Sequence, residues 1–438
     1  MKNSQKRTCC DISLIHQDAF HDFCKNGNLA SFTRNRKMPL TDLLFTMINR
    51  RGITLSLELR NYMKTAHPGI EISKPSYLKQ RMKLNPLAFY ELYRHHNRNF
   101  YADSGFSTFQ GYLVLAADGL GINIPTTKET LTEFGTSSRK GTKLQASIGL
   151  GCLYDVMNRM ILESDCCKCK FDEMHLAEEQ IDRLPETIGT LPFLVVMDRG
   201  YPSTAAFIRM MEKGILFLVR LKSSDYKKEQ AAMEAQDAWV DIYLDKSRIR
   251  HYQGTDIGRR MEELGHVTLR MVKVPLSENK EEVLITNLPS ETFDQLKIAE
   301  LYHMRWGIET AYETLKDRLQ IENFTGTKPI LLQQDIYSTI YISNLAEDII
   351  RDAEAELDEK EKHQKHKMMI NRTLSIGILK NDLIYILLET DVKKQDKLFQ
   401  QIYEDISRNL VPIRPDRHYH RTKGQLAGKY SNTHKRAY

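Results

Sequence analysis

No stretch of this chain approaches the ~20 consecutive apolar residues that a membrane-spanning helix needs. The opening Met-Lys-Asn-Ser-Gln-Lys-Arg leads into no apolar signal core. Those two absences leave a cytoplasmic protein with access to the nucleoid as the expectation, with no membrane partner. Cysteine is sparse and poorly spaced for disulfides. There are seven, an odd number, with Cys9-Cys10 adjacent and Cys166-Cys167-Lys168-Cys169 bunched. Cys166, Cys167, Cys169 and His175 could be drawn as a zinc cluster. They follow an apparent strand, however, whose alternation points Cys166 and Cys167 to opposite faces, so reduced structural thiols are the better reading. A large excess of one charge is missing too. Lys and Arg number 63 against 57 Asp and Glu, a net +6. Any grip on nucleic acid must therefore come from local patches rather than bulk charge.

What is present is enough to fold. With 438 residues, 41% of them hydrophobic, the chain can bury a large core and should hold more than one domain. Its most informative stretch is Tyr302-His-Met-Arg305-Trp-Gly-Ile-Glu309-Thr-Ala-Tyr-Glu-Thr-Leu-Lys316. Leu301, Met304, Ile308, Ala311, Leu315 and Leu319 recur at helical steps, an apolar stripe for burial. Tyr302, Arg305, Glu309 and Lys316 form a polar stripe beside it. Arg305 and Glu309 alone could be an ordinary surface ion pair, worth about 0.3–0.5 kcal/mol.

Two further segments bear on that choice. Tyr112-Leu-Val-Leu-Ala-Ala-Asp118-Gly119 and Pro192-Phe-Leu-Val-Val-Met-Asp198-Arg-Gly200-Tyr201 are apolar, β-favouring runs that end in aspartate. Both read as buried strands. Each Asp could be a turn residue, but a carboxylate at the carboxyl end of a buried strand also faces the crevice where open α/β sheets bind ligands. Three carboxylates without His or Cys partners suit a hard cation, Mg2+ or Mn2+ rather than zinc. Two such ions about 3.5–4 Å apart can activate a nucleophile and stabilise a leaving oxygen in phosphodiester displacement.

On these residues the chain resembles the DDE transposases of bacterial insertion sequences, of the IS-four type marked by Y-x2-R-x3-E-x6-K. Tyr302, Arg305, Glu309 and Lys316 fit that spacing at every position. Asp118 resembles the first acidic residue of the triad and Asp198 the second, and Arg220-Leu-Lys222 also looks familial. The resemblance covers roughly residues 30–350. It implies that Asp118, Asp198 and Glu309 hold two Mg2+ ions, with Mn2+ as a substitute. It also implies that Tyr302, Arg305 and Lys316 grip the 5′-phosphate side of the element end, and that Arg220 and Lys222 are candidate DNA contacts. No small-molecule cofactor is implied.

The expected organisation follows. Residues 1–105 read as a basic helical DNA-binding domain, with an amphipathic helix through Leu43, Leu44, Met47 and Ile48. In Ser73-Lys-Pro-Ser76-Tyr77-Leu-Lys79-Gln80-Arg81-Met-Lys83, Ser76 is read as a cap, and Lys79, Arg81 and Lys83 as reaching phosphates. A solvated basic helix is the alternative. Residues 106–222 and 294–350 read as an α/β core: strands over 112–118, 146–154, 159–164, 193–198 and 215–220, with helices over 172–184 and 203–213. The resemblance makes this an RNase H-like fold, with Asp118 and Asp198 neighbours although 80 residues apart (198 − 118). Residues 223–293 read as an inserted antiparallel β-subdomain with a turn at 277–280. Residues 351–438 read as a C-terminal helical region and basic tail. Within it, 353–367 is charged and loose, 374–388 is an apolar helix, and 414–438 is a basic arm in which His418 and His420 have ligand-like spacing without a third ligand.

The function expected is cut-and-paste transposition on double-stranded DNA: cleavage at terminal inverted repeats, then joining of the freed 3′-hydroxyls to target DNA. A homodimer is expected on paired ends, associated through the shared DNA and through the helices at 336–350 and 374–388. An RNase H-like nuclease or resolvase, or a catalytically silent DNA-binding regulator, are the alternatives.

Overall fold

The apolar runs become strands of one sheet. The computed structural model describes residues 1–34, 36–138, 143–277, 280–360 and 367–413. Its strands are β1 (Leu113–Asn123), β2 (Ser147–Asp155), β3 (Met160–Lys168), β4 (Phe193–Met197), β5 (Leu216–Leu221), β6 (Asp237–Tyr243), β7 (His266–Ser277) and β8 (Lys280–Thr286). They form an eight-stranded sheet in the order β3-β2-β1-β4-β5-β8-β7-β6. β1, β4 and β5 run parallel. Residues 113–117, 194–197 and 217–219 are all buried, which is why these strands lack alternation. Ser203 caps the helix Thr204–Glu212 that carries the chain from β4 to β5.

One strand departs from its reading. β1 does not stop in a turn at Asp118-Gly119 but runs five residues further, to Asn123. Leu120 and Ile122 are buried and restore a period of two. Gly119 serves a close approach: a Cβ there would meet Glu173 Oε1 at 2.7 Å and Phe171 at 3.0 Å.

Segment 223–293 supplies β6, β7 and β8, all antiparallel, and β8 pairs antiparallel with β5. The expected insertion therefore continues the central sheet. Of the turn expected at 277–280, residues 278 and 279 lie outside the described residues. One core cluster joins Val114, Leu194, Val196 and Leu218 to Val272 and Leu284, beneath Ile298, Leu301 and Tyr302 of the helix Gln295–Met304.

The chain divides into two compact units: residues 104–120 with 149–312, and residues 1–103 with 121–148 and 313–438. In the second of these, the long helix Pro329–Lys360 packs on the helices Asn3–Ile15, Leu40–Ile48 and Ala88–Ala102. It corrects several expectations. The helix Lys74–Arg81 is capped by Ser73, whose side chain accepts from the Ser76 N–H, and not by Ser76. Arg81 points inward. It is fully buried and donates to Gln334, Thr325, the Leu331 carbonyl and Asp335, so it cannot reach a phosphate. Lys79 is exposed and Lys83 half-exposed. The charged stretch from 353 is helical as far as Lys360, with Ala353 buried. Ile336, Ile340, Leu345, Ile349 and Ile350 are all buried within the chain, so these side chains are not free to join two protomers. Residues 361–366 and the basic arm 414–438, with His418 and His420, lie outside the described residues. Among the described residues no helix is long and apolar enough to cross a membrane.

Candidate active site

The site is built by register. The β1–β4 ladder pairs Leu113 with Phe193 through Ala117 with Met197. The next residues, Asp118 and Asp198, therefore stand side by side on adjacent parallel strands. Sequence reasoning placed both, although it took Asp118 for the end of its strand. β4 ends at Met197, just before Asp198, where a turn returns the Tyr201 N–H to the Asp198 carbonyl at 3.1 Å.

Around this pair stand groups from distant segments. The Tyr302 hydroxyl donates to Asp198 Oδ1 at 3.4 Å, and the Tyr312 hydroxyl donates to the Asp118 carbonyl at 2.7 Å. Both tyrosines are buried, and burial pushes the Tyr302 hydroxyl up to about 12. Tyr201 is buried too, with its hydroxyl within reach of Glu173. Burial, followed by the negative charges of Glu173, Asp118 and Asp198, raises its pKa far above the ordinary tyrosine value. Glu173, Tyr201 and Tyr312 are not among the site residues that the sequence suggests, although Tyr201 and Tyr312 lie inside its motifs. Glu173 opens the helix Glu173–Arg183 behind its cap Asp172, and nothing local in the sequence marks its approach to Gly119.

Burial also holds the Asp118 carboxyl up at about 6. The Gly119 N–H and Arg305 pull it down, while the like charges of Glu173 and Asp198 push it up. An unfolded aspartate titrates near 3.9, so the folded chain keeps this proton to higher pH. The resulting stabilisation is complete below about pH 4 and is lost as pH rises through about 6. In metal-free buffer, Asp118→Asn should therefore raise the unfolding free energy by about 1–3 kcal/mol at about pH 8 and change little at about pH 4. Denaturant melts at the two pH values check this. Equal shifts at both would show that the Asp118 charge carries no such burden.

The signature segment is not one regular helix. Gln295–Met304 ends at a turn on Arg305, where the Arg305 N–H bonds back three residues to the Tyr302 carbonyl. Trp306–Glu313 follows, and Thr314–Arg318 winds as a π-helical turn. The expected polar stripe is consequently split. Tyr302 and Arg305 are buried, Glu309 is exposed and Lys316 is half-buried within the π turn. Lys316 belongs to the other compact unit. Arg305 lies 5.8 Å from the Tyr302 ring centroid and 5.5 Å from that of Trp306, and its Nη2 donates to Glu309 Oε1 at 2.9 Å. Arg220 pairs with Glu282 at 3.3 Å, whereas Lys222 is exposed. Burial raises the Glu282 carboxyl, with Arg220, Arg305 and His303 opposing. Glu282 is a further carboxylate that the sequence did not announce.

The donors are hard oxygens, which fit a divalent cation of the magnesium type. Among the described residues, no three His, Cys, Asp or Glu side chains form a group able to hold a metal ion. Asp118 and Asp198 stand together, while the Glu309 carboxylate is bonded to Arg305.

A family model described as a transposase DDE domain matches residues 109–345. Transposase InsG of insertion sequence element IS4, from Escherichia coli strain K12, is 21% identical over 325 residues, 71% of this chain and 70% of that protein. The transposase of insertion sequence element IS421, from Escherichia coli, is 30% identical over 206 residues; these are 41% of this chain and 52% of that relative. A cryo-EM structure of a piggyBac transposase synaptic complex with hairpin DNA aligns with a TM-score of 0.46 at 10% identity, over 90% of this chain and 84% of that one.

Proposed function

The chain belongs to the DDE transposase family, and from that membership we propose how its residues divide the work of cutting and joining DNA. Transposases of this family cleave DNA and transfer its strands, and they use divalent metal ions. In our reading Asp118, Asp198 and Glu309 would hold Mg2+, or Mn2+ in its place, two ions per site. When bound, such ions neutralise charge on phosphoryl oxygens and make a water or hydroxyl a better nucleophile. Tyr302 fixes the Asp198 carboxylate through its hydroxyl. Tyr312, bonded to the Asp118 carbonyl, holds the β1 backbone at the site. Arg305 would hold the element-end phosphate through its planar fork. Lys79, Lys83 and Lys222, all solvent-accessible, would add backbone contacts.

The observation that carries this reading is the register that sets Asp118 beside Asp198, with the Tyr302 hydroxyl of the signature segment on Asp198. We read the order β3-β2-β1-β4-β5 as an RNase H-like core. The DNA partners would be the terminal inverted repeats of the element and a target duplex, bound by a homodimer on paired ends in the cytoplasm, at the nucleoid. With the apolar residues of 336–350 buried, we assign that dimer to the shared DNA.

The test is a plasmid bearing the DNA that flanks the reading frame, incubated with the protein, Mg2+ and a second target plasmid. Joined products with element 3′ ends covalently attached to target are expected. Nicked or linear DNA with no joined product would favour the hydrolytic nuclease or resolvase. Binding without any cleavage would favour the silent regulator.

A further inference from the structure

Arg305 meets Glu309 with half of a clamp. The Nε and Nη2 hydrogens of a guanidinium lie along one edge and can hold both oxygens of a carboxylate or phosphate at once. This molecule uses that edge in full elsewhere. Arg209 places Nε and Nη2 on the two oxygens of Glu178 at 2.7 and 2.8 Å, and Arg270 does the same to Asp237 at 2.7 and 2.5 Å. Arg305 gives Nη2 to Glu309, while its Nε is buried with no hydrogen-bond partner. The residue is only 4% exposed and its guanidinium lies near two aromatic rings, so the cation is fixed. The Glu309 side chain is 43% exposed and has room to turn. A buried donor left bare is costly, and the group that can satisfy it is an anion with two free oxygens.

We propose that Arg305 is a positioning residue that keeps Glu309 away from Asp118 and Asp198 until a DNA phosphate takes the Nε–Nη2 edge, so that the substrate itself completes the metal-binding set. The inference rests on the reading of Asp118, Asp198 and Glu309 as that set. A phosphodiester satisfies both donors where Glu309 satisfies one, so the exchange gains a charge-assisted bond. The released carboxylate then adds to Asp118 and Asp198. Metal binding and DNA binding become mutually reinforcing, as linkage requires, and a chain away from DNA has an incomplete nuclease site.

Mn2+ binding to the full-length, DNA-free protein, followed by the electron paramagnetic resonance of the free ion, tests this. Glu309→Gln should bind Mn2+ within about twofold of the unsubstituted chain, because Glu309 is not yet a ligand. Asp118→Asn should bind at least about tenfold more weakly. Arg305→Gln, which frees Glu309, should bind about tenfold more tightly, and Arg305→Gln with Glu309→Gln should lose that gain. Glu309→Gln weakening Mn2+ binding as much as Asp118→Asn would overturn the proposal, as would a folded Arg305→Gln with unchanged affinity. If Arg305→Gln does not fold, the exposed Glu309→Gln decides alone. An Asp118→Asn without effect would instead sink the metal-site reading, which is a separate result.

Discussion

Asp198→Ala is expected to remove DNA cleavage in Mg2+, by on the order of 10³-fold or more, and to leave DNA binding nearly intact. The two properties draw on different groups. Binding to a duplex comes mainly from Lys and Arg neutralising phosphates, with counterion release. In the proposed site, cleavage would depend on oxygen ligands that Asp198 and Asp118 supply side by side. Asp198 lies one position beyond the buried residues of β4, so its loss creates no cavity in the sheet. It does leave the Tyr302 hydroxyl without its carboxylate. Asp118→Ala should behave alike in cleavage. Gel assays of strand breakage, with mobility-shift titrations on the same duplex, measure the two effects side by side. Cleavage at a near-normal rate by folded Asp198→Ala would take this residue out of the site.

How much of this was legible follows from which interactions are local. The strands were readable because burial on both faces leaves an unbroken apolar run, and β4 ends one residue before the acid expected to close it. The extension of β1 past Asp118 was not, because Asp-Gly signals a turn unless something packs over the glycine. Phe171 and Glu173 do so from 52 and 54 residues away (171 − 119 and 173 − 119). The helical spacing of Tyr302, Arg305, Glu309 and Lys316 was plain. Its consequence was misjudged, since a periodicity argument assumes constant pitch. The three-residue bond at Arg305 and the π turn at Thr314–Arg318 both break that pitch. The side chains then sort differently, with Arg305 held inside by Tyr302, Trp306 and Glu309. Glu173 joins the site through tertiary approach alone. Arg81 was misread for the same reason. A basic residue on a short helix is usually solvated, but the acid that binds this one, Asp335, lies 254 positions away.

Asp335→Ala is expected to destabilise the chain by about 3–5 kcal/mol, the cost of stripping a buried ion pair of one partner. Asp335 is buried and faces two cations. Arg81 Nη2 donates to its Oδ1 at 2.9 Å, and Arg50 lies 2.9 Å from the same oxygen. Burial pushes the Asp335 carboxyl up, yet Arg50 and Arg81 outweigh it and hold the pKa below the usual value. Its stabilisation is therefore present above the unfolded aspartate range and lost as pH falls through its lowered value. Without it, Arg81 stays wholly buried with only Gln334, Thr325 and the Leu331 carbonyl as partners. Lys79→Ala, on the exposed side of the same helix, should change stability by under about 0.5 kcal/mol. DNA binding separates the two residues again. Lys79→Ala should lower the slope of log affinity against log salt by about 1 if Lys79 contacts phosphate, while Arg81→Ala should leave that slope unchanged in whatever protein stays folded. Urea melts and salt titrations check both halves. A well-folded Asp335→Ala, or a reduced salt slope in Arg81→Ala, would return Arg81 to the DNA surface from which its buried position removes it.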